Sequence, residues 1–457
     1  MSTEADIAAY VAELNASAAY TRSRWNEGES RFWFWSPPKD LDKPRLPYIP
    51  GFAVQIRRHL PPPPFGGRDY GMGTREVLSQ SYLLGATQSE MVIDHPSADT
   101  PPPAQSETAH LTVVAPIAIG GVRGAQLVAC EISPWSHGDK PLYAVAKIFD
   151  PMYYNCDYYN SREPHDTVWQ ADSDYSREAA AYEHLQKNLT DSAPKYFGSW
   201  TFDLPITSRG VPRSRPVRMI LIERLDGVTM RSMRVRNDPE EPDDAFHYPE
   251  EYRLEVLAIA MDQYARMEHS GLDHIDFADR NVMLVTSTKP SAQVPIISGL
   301  PLPRVVLVDY HASVVHDLAA KDRRPQRRTA LPINPMQRWR DMPMNEFIGW
   351  VPAEWHSTPR LKSQWLEKRF GGPEQRKLYT MDEATTKATT TSRPQSRGSG
   401  TDNGQQVPND PPILPRCIPW NPVSEEMKAL KAELKAKREK ETPGAQKALP
   451  VRNGNHK

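Results

Sequence analysis

Asp273-His274-Ile275-Asp276-Phe277-Ala278-Asp279-Arg280-Asn281-Val282-Met283-Leu284 is the stretch whose chemistry organises the rest of this chain. It sets Asp276 five residues before Asn281 and then runs directly into apolar sequence. Downstream, Arg304-Val305-Val306-Leu307-Val308-Asp309 reads as a buried strand that ends on a carboxylate. Asp276 suits the acceptance or orientation of a hydroxyl proton. Asn281 and Asp309 offer the hard oxygen ligands that Mg²⁺ favours. Phosphoryl transfer needs phosphates held in line, metal ions on their oxygens and a carboxylate to orient the attacking hydroxyl.

Upstream, the other requirements find candidates in order. Residues 142–149 read as a strand with Lys147 inside an otherwise apolar run, which is costly unless the ammonium meets an anion. The alternative is an edge-strand lysine that snorkels to the surface. Glu178, early on a helix expected over 175–188, is its candidate partner, although alone it reads as a solvated helix charge. Strands expected at 111–119 and 126–132 flank Gly120-Gly121-Val122-Arg123-Gly124. Gly120, Gly121 and Gly124 would let backbone amides approach phosphates, although any hairpin turn favours Gly. Two more strands are expected at 199–206 and 217–223, joined by a basic, proline-containing loop. A helix over 249–270 is stopped by Gly271. Further helices are expected at 335–350 and 361–370, and 286–303 reads as an exposed insertion.

Taken together, residues 111–371 resemble the protein-kinase-like superfamily. Ala144-Val145-Ala146-Lys147 is similar to the family's strand-three Val-Ala-Ile-Lys. His274-Ile275-Asp276 followed by Asn281 resembles its catalytic loop, and Asp309-Tyr310-His311 stands where Asp-Phe-Gly would be. Arg177-Glu178-Ala179-Ala180-Ala181-Tyr182 and Phe347-Ile348-Gly349-Trp350-Val351-Pro352 resemble segments of uncharacterised fungal protein-kinase-domain proteins with a reduced C-terminal lobe. The resemblance implies an α+β, bilobal fold. An antiparallel β N-lobe would span 111–226 and a small, mainly helical C-lobe 227–375, with ATP in the cleft and the hinge near Glu223 and Leu225. It implies Asp276 as catalytic base, Lys147 with Glu178 as phosphate clamp, and Asn281 and Asp309 as Mg²⁺ ligands.

The sequence departs from that family at several points. Ala278 stands where a Lys follows the catalytic Asp by two residues, and Tyr310-His311 replaces Phe-Gly. No Ala-Pro-Glu follows Asp309, only about sixty residues separate it from Gly371-Gly372, and the spaced Gly-x-Gly-x-x-Gly is missing. These losses weigh against peptide-substrate machinery more than against nucleotide binding. The expected activity is an ATP- and Mg²⁺-dependent phosphotransferase acting on a hydroxyl acceptor, protein Ser/Thr or small molecule. The alternative is a pseudokinase scaffold that binds partners without catalysis.

Composition sets the outer bounds. A formal net charge of −1 gives no whole-molecule attraction to nucleic acid or an anionic membrane. The 45 prolines, roughly twice ordinary usage, argue for one core plus much irregular chain. Residues 1–110 accordingly read as an irregular Pro-rich region and 376–457 as a disordered tail with a charged helix near 424–441; a short helix is expected at 4–20. The aromatic run at 31–35 and Pro61-Pro62-Pro63-Pro64 read either as a docking peptide for a partner's aromatic groove or as a solvated linker plus a segment that packs on the folded domain. The Pro-rich region and the tail are the candidate sites for protein partners. Three scattered cysteines fit a reducing compartment. No signal peptide or span of ~18 apolar residues is visible, so the expected location is cytoplasmic or nuclear. Lys321-Asp322-Arg323-Arg324 with Arg327-Arg328 reads as a solvated loop or a nuclear-import or anion patch. A transition-metal site from His274, Asp276, Asp309 and His311 is a minor alternative. Cys156 with His165 lacks a second zinc pair, and Gly-x-Ser-x-Gly is absent.

Overall fold

The computed structural model describes residues 35–97, 100, 107–135, 140–156, 164–189, 192–236, 243–286, 293–321 and 329–380. The helices expected at 4–20 and 424–441, most of the aromatic run (31–34), the tail beyond 380 and most of the basic run (322–328) lie outside the described residues.

Six strands close into an antiparallel barrel in the order β1-β2-β3-β4-β6-β5. They are β1 (Ala53–Arg58), β2 (Thr108–Ala118), β3 (Gln126–Ser133), β4 (Leu142–Phe149), β5 (Tyr196–Ser208) and β6 (Val211–Glu223). β1 lies inside the stretch expected to be irregular. It closes the barrel by pairing Ala53 with Thr112 on β2 and Arg58 with Trp200 on β5. The β5–β6 hairpin is longer than expected and runs through Pro205, Pro212 and Pro216 to a turn at Arg209-Gly210. β4 covers β6 only over 218–223 and β1 reaches β5 only at Trp200 and Thr201, so the distal hairpin has no further strand partner at either edge among the described residues. Prolines are tolerated at such edges because no ladder partner needs the missing N–H.

Between β1 and β2 come three short helices, α1 (Gly67–Tyr70), α2 (Gln80–Gly85) and α3 (Gln88–Asp94). Thr87 and Glu90 cap the last of them reciprocally. The long helix α4 (Thr167–Asn188) starts eight residues before the expected 175. The cause is Asp166, whose carboxylate accepts the amides of Val168 at 3.0 Å and Trp169 at 2.9 Å.

Beyond the barrel the chain forms β7 (Gly227–Thr229), α5 (Glu250–Ser270), β8 (Leu272–Asp273) and β9 (Val282–Val285). Gly271 ends α5 in the left-handed region at φ 106°. Next come β10 (Ile296–Ile297), β11 (Leu300–Pro301), β12 (Arg304–Leu307) and β13 (Val314–Val315). β10 and β11 make a small hairpin within the stretch expected to be an exposed insertion. α6 (Pro335–Trp339) is far shorter than its expected run to 350; Pro343 follows closely and cannot continue a helix. α7 (Glu354–Ser357), α8 (Pro359–Phe370) and α9 (Pro373–Arg376) complete the described chain.

Period-two alternation divides β4 between two apolar cores. Ala144, Ala146 and Ile148 face the barrel interior with Ile56, Leu111 and Trp200. Val145 and Phe149 face a second core that joins α4, α5, β9 and β12 through Tyr182, Leu257, Leu284 and Leu307. The architecture is mixed α/β with antiparallel sheets throughout its named strands. No helix among the described residues is long and apolar enough to cross a membrane.

Candidate functional site

Lys147 shares the β4 face of Val145 and Phe149, so the same alternation that fills the barrel turns it toward α4. Its Nζ stands 2.5 Å from Glu178 Oε2 and 2.6 Å from Asp309 Oδ1. The lysine side chain is 7% exposed and that of Glu178 1%, so these are buried charges held by one another. Burial pulls the Lys147 ammonium down, but Asp309 and Glu178 together outweigh it and hold the group above its usual range. Burial lifts the Glu178 carboxyl above its ordinary value, and Lys147 only partly offsets this. Burial also acts on Asp309, but there Lys147 and His311 prevail and keep the carboxyl well below the usual range.

Asp309 follows β12 at φ 70°, a left-handed conformation that an Asp adopts more readily than most residues. The preceding peptide is gripped from both sides. Val308 donates its N–H to Asn281 O at 3.0 Å, and its carbonyl accepts from His274 Nε2 at 3.0 Å. These bonds set the 274–281 loop beside the Asp309 segment. That loop is itself strained: Ile275 has φ 63°, and Asp276 N–H bonds back to His274 O at 2.7 Å in a γ-turn. A β-branched residue in this region costs free energy. Asp273 stabilises the loop by accepting Ile275 N–H at 3.1 Å and the Tyr264 hydroxyl at 2.5 Å.

Asn281 and Asp276 are in direct contact. Asn281 Nδ2 donates to Asp276 Oδ2 at 2.7 Å and to the Asp276 carbonyl at 2.9 Å. Asp276 Oδ1 accepts from Arg280 Nη2 at 2.6 Å, and Arg280 Nη1 reaches Glu346 at 2.6 Å. Arg280 was not among the residues singled out from the sequence, although its position four residues after Asp276 was a signal. It supplies the cation at this carboxylate that Ala278, wholly buried, does not.

The remaining expected residues behave differently. Gly120 N–H donates to Gln126 Oε1 at 2.7 Å, and Gly124 N–H donates to Tyr153 O at 3.1 Å. Gly121 presents its carbonyl to Lys43 Nζ at 3.4 Å. Two of the three candidate phosphate-binding amides therefore already have acceptors within the protein. Glu223 ends β6 with its N–H on Lys195 O at 2.8 Å, and Leu225, half-buried, follows before β7. His274 and His311 do not converge as metal ligands. His274 is bonded to Val308, His311 to Asp309, and no group of three His, Cys, Asp or Glu suited to a metal occurs among the described residues. Cys156 donates to Gln88 Oε1 at 3.3 Å, and His165 lies 3.2 Å from Gln170 Oε1.

His311 Nδ1 lies 2.8 Å from Asp309 Oδ1. Burial alone would lower the imidazole, but the Asp309 carboxylate raises it to about 9. A raised histidine stabilises the folded state below its unfolded value near 6.5 and loses that contribution as pH rises through the folded value. The metal-free protein is therefore expected to lose stability between about pH 6.5 and 9. The imidazole is still 37% exposed, so solvent screening holds the loss to about 1 kcal/mol. Denaturant unfolding across this range checks it: His311→Gln should flatten the slope, and an unchanged slope rejects the assignment.

No family model matches the chain, and no curated protein matches it. Among solved structures, the kinase domain of Mycobacterium tuberculosis PknI, crystallised as a point mutant, aligns at 16% identity with a TM-score of 0.25. The match covers 44% of this chain and 59% of the length of that one. At that TM-score the likeness carries no argument, and the function rests on the side-chain geometry.

Proposed function

We propose that this chain is a protein-kinase-like phosphotransferase that moves the γ-phosphoryl group of ATP, with Mg²⁺, to a hydroxyl acceptor. The observation that carries this reading is Lys147 bridging Glu178 and Asp309 in a buried cluster, beside a loop in which Asn281 holds Asp276. The bilobal arrangement belongs to the same proposal. The barrel would form one lobe, extended back to β1 from the expected boundary at 111, and the part from 227 to 375 the other.

The donor set suits Mg²⁺. Both Lys147 and His311 bond Asp309 through Oδ1. Asn281 uses its amide nitrogen on Asp276, which leaves its amide oxygen as the ligand atom. Two protein oxygens accord with an ion that takes its other ligands from phosphates and water. Asp309 and Asn281 would hold the ion, whose positive charge would offset that of the phosphates.

Glu178 holds the Lys147 ammonium in place, and that ammonium is the cation presented to the phosphates. Asp276 orients the acceptor hydroxyl and takes its proton; for this Arg280 shifts off Oδ1 toward Glu346, with which it is already paired. Asn281 keeps the Asp276 carboxylate aimed through Oδ2.

The occupied amides of Gly120 and Gly124 favour a second reading, a scaffold that binds partners, with or without nucleotide, and does not turn over. Thermal unfolding separates nucleotide binding from its absence. ATP at ~100 times its dissociation constant should stabilise the wild type by about 2.7 kcal/mol with Mg²⁺. Asp309→Asn, which tolerates the left-handed backbone, should show no such shift. Equal shifts in both proteins would remove Asp309 from the site.

A further inference from the structure

The Pro-rich segment after β1 does not hang free. The residues on either side of Pro61–Pro64 are fixed on the first half of α4. His59 Nδ1 is 2.6 Å from the Tyr175 hydroxyl. Ser173 Oγ donates to Phe65 O at 2.8 Å, the Phe65 and Trp169 rings meet edge-on at 5.7 Å, and Trp169 Nε1 donates to Met72 O at 3.2 Å. Gly66, at φ 93°, sits so close that a Cβ there would fall 2.1 Å from Ser173 Oγ. Every one of these helix residues lies within ten positions N-terminal to Glu178.

The same segment then reaches the chain that follows Asp309. Val315 N–H donates to the Tyr70 hydroxyl at 2.5 Å, and Ala320 N–H donates to Asp69 O at 2.8 Å. Val315 is in β13, paired with Leu272 of β8 just before the 274–281 loop. One strap of about fifteen residues thus ties the helix carrying Glu178 to the segment carrying Asp309. Three of its anchors on these partners are backbone carbonyls (Phe65, Asp69 and Met72), and the others are the side chains of His59, Phe65 and Tyr70. The sequence leaves this region open between a docking peptide and a solvated linker with a packing segment; residues 59–73 are packed against the domain.

We propose that residues 59–73 are a built-in brace, with Tyr70 as its positioning residue. The brace fixes α4 and the post-Asp309 chain as one body, so that Glu178 and Asp309 both reach Lys147 without help from a partner chain or a covalent modification. Its effect on nucleotide binding rests on the function proposed above; the mechanical coupling does not.

Tyr70→Phe in the full chain keeps the ring and removes the acceptor for Val315. Hydrogen exchange should then quicken together in residues 170–180 and 311–320, and MgATP affinity should fall about tenfold, or about 1.4 kcal/mol. Gly66→Ala, which lifts the strap from Ser173, should give the same pattern. The double variant should be no worse than either single, because both release one element. Tyr143→Phe, on an exposed β4 side chain, is the control expected to change neither quantity. Faster exchange at 311–320 alone in Tyr70→Phe, or fully additive losses in the double variant, overturns the brace. If the wild type binds no nucleotide, the function fails, while the paired exchange response still decides the brace.

Discussion

Asp276→Asn is expected to slow phosphoryl transfer by about 10²- to 10⁴-fold, the range set by removing a positioned general base, while MgATP affinity stays within about twofold. The substitution keeps the side chain's shape and leaves an oxygen for Asn281 Nδ2, now 2.7 Å from Asp276 Oδ2. It removes the charge that Arg280 meets at 2.6 Å, so the guanidinium should settle on Glu346, where it already makes a second bond. The loss should therefore fall on turnover. Phosphate release or transfer, measured beside nucleotide binding on the same preparations, separates the two quantities. Equal low rates in wild type and variant, with binding intact, would leave the scaffold reading standing and sink the catalytic one.

Lys147→Met should destabilise the fold by about 3–5 kcal/mol, because breaking a buried pair strands the charge that remains. The stranded group is Glu178, at 1% exposure, with Asp309 beside it. Lys147→Met combined with Glu178→Leu should recover most of the loss, since an apolar pair of similar volume is often as stable as the ions it replaces. The pH dependence has a definite sign. A carboxyl whose folded value is raised, as burial raises Glu178, gives stability that is present below its unfolded value near 4.3 and lost as pH rises through the folded value. Without Lys147 the raising is stronger, so the single variant should regain stability as pH falls toward 5, and the double variant should not. Urea unfolding at two pH values tests both statements; a single variant as stable as the wild type near pH 7 would mean that the cluster does not hold the fold together.

Much of this site was legible because its residues break a local pattern. A lysine in the alternating apolar run of β4 has to meet an anion, and the Asp276–Asn281 spacing with a strand-terminal Asp309 singles out one loop. The parts that stayed hidden depend on long-range pairing. β1 does alternate, with Val54 and Ile56 turned inward between exposed Ala53, Gln55 and Arg57, but so short a run beside many prolines does not stand out. Its identity as a strand rests on distant partners such as Thr112 and Trp200. The brace is invisible for the same reason, since its bonds run largely through backbone carbonyls. α4 starts early because one capping carboxylate, Asp166, outweighs the irregular composition before Tyr175, and α6 stops early because of Pro343. The Gly120–Gly124 turn shows the converse: its glycines suggested phosphate contact, and Gln126 and Tyr153 take the amides of Gly120 and Gly124, which only coordinates could reveal. His311 was noted as a departure from Asp-Phe-Gly, and its ion pair with Asp309 depends on a backbone turn at φ 70° that no sequence pattern encodes.

The central claim is that Lys147, Glu178, Asn281 and Asp309 form one Mg²⁺-dependent nucleotide site. Equilibrium dialysis of the full chain against labelled ATP, with and without Mg²⁺, tests it most directly. Saturable binding that requires Mg²⁺ and is lost in Asp309→Asn is the expected result. Absence of saturable ATP binding under both conditions in a folded wild-type protein would contradict it.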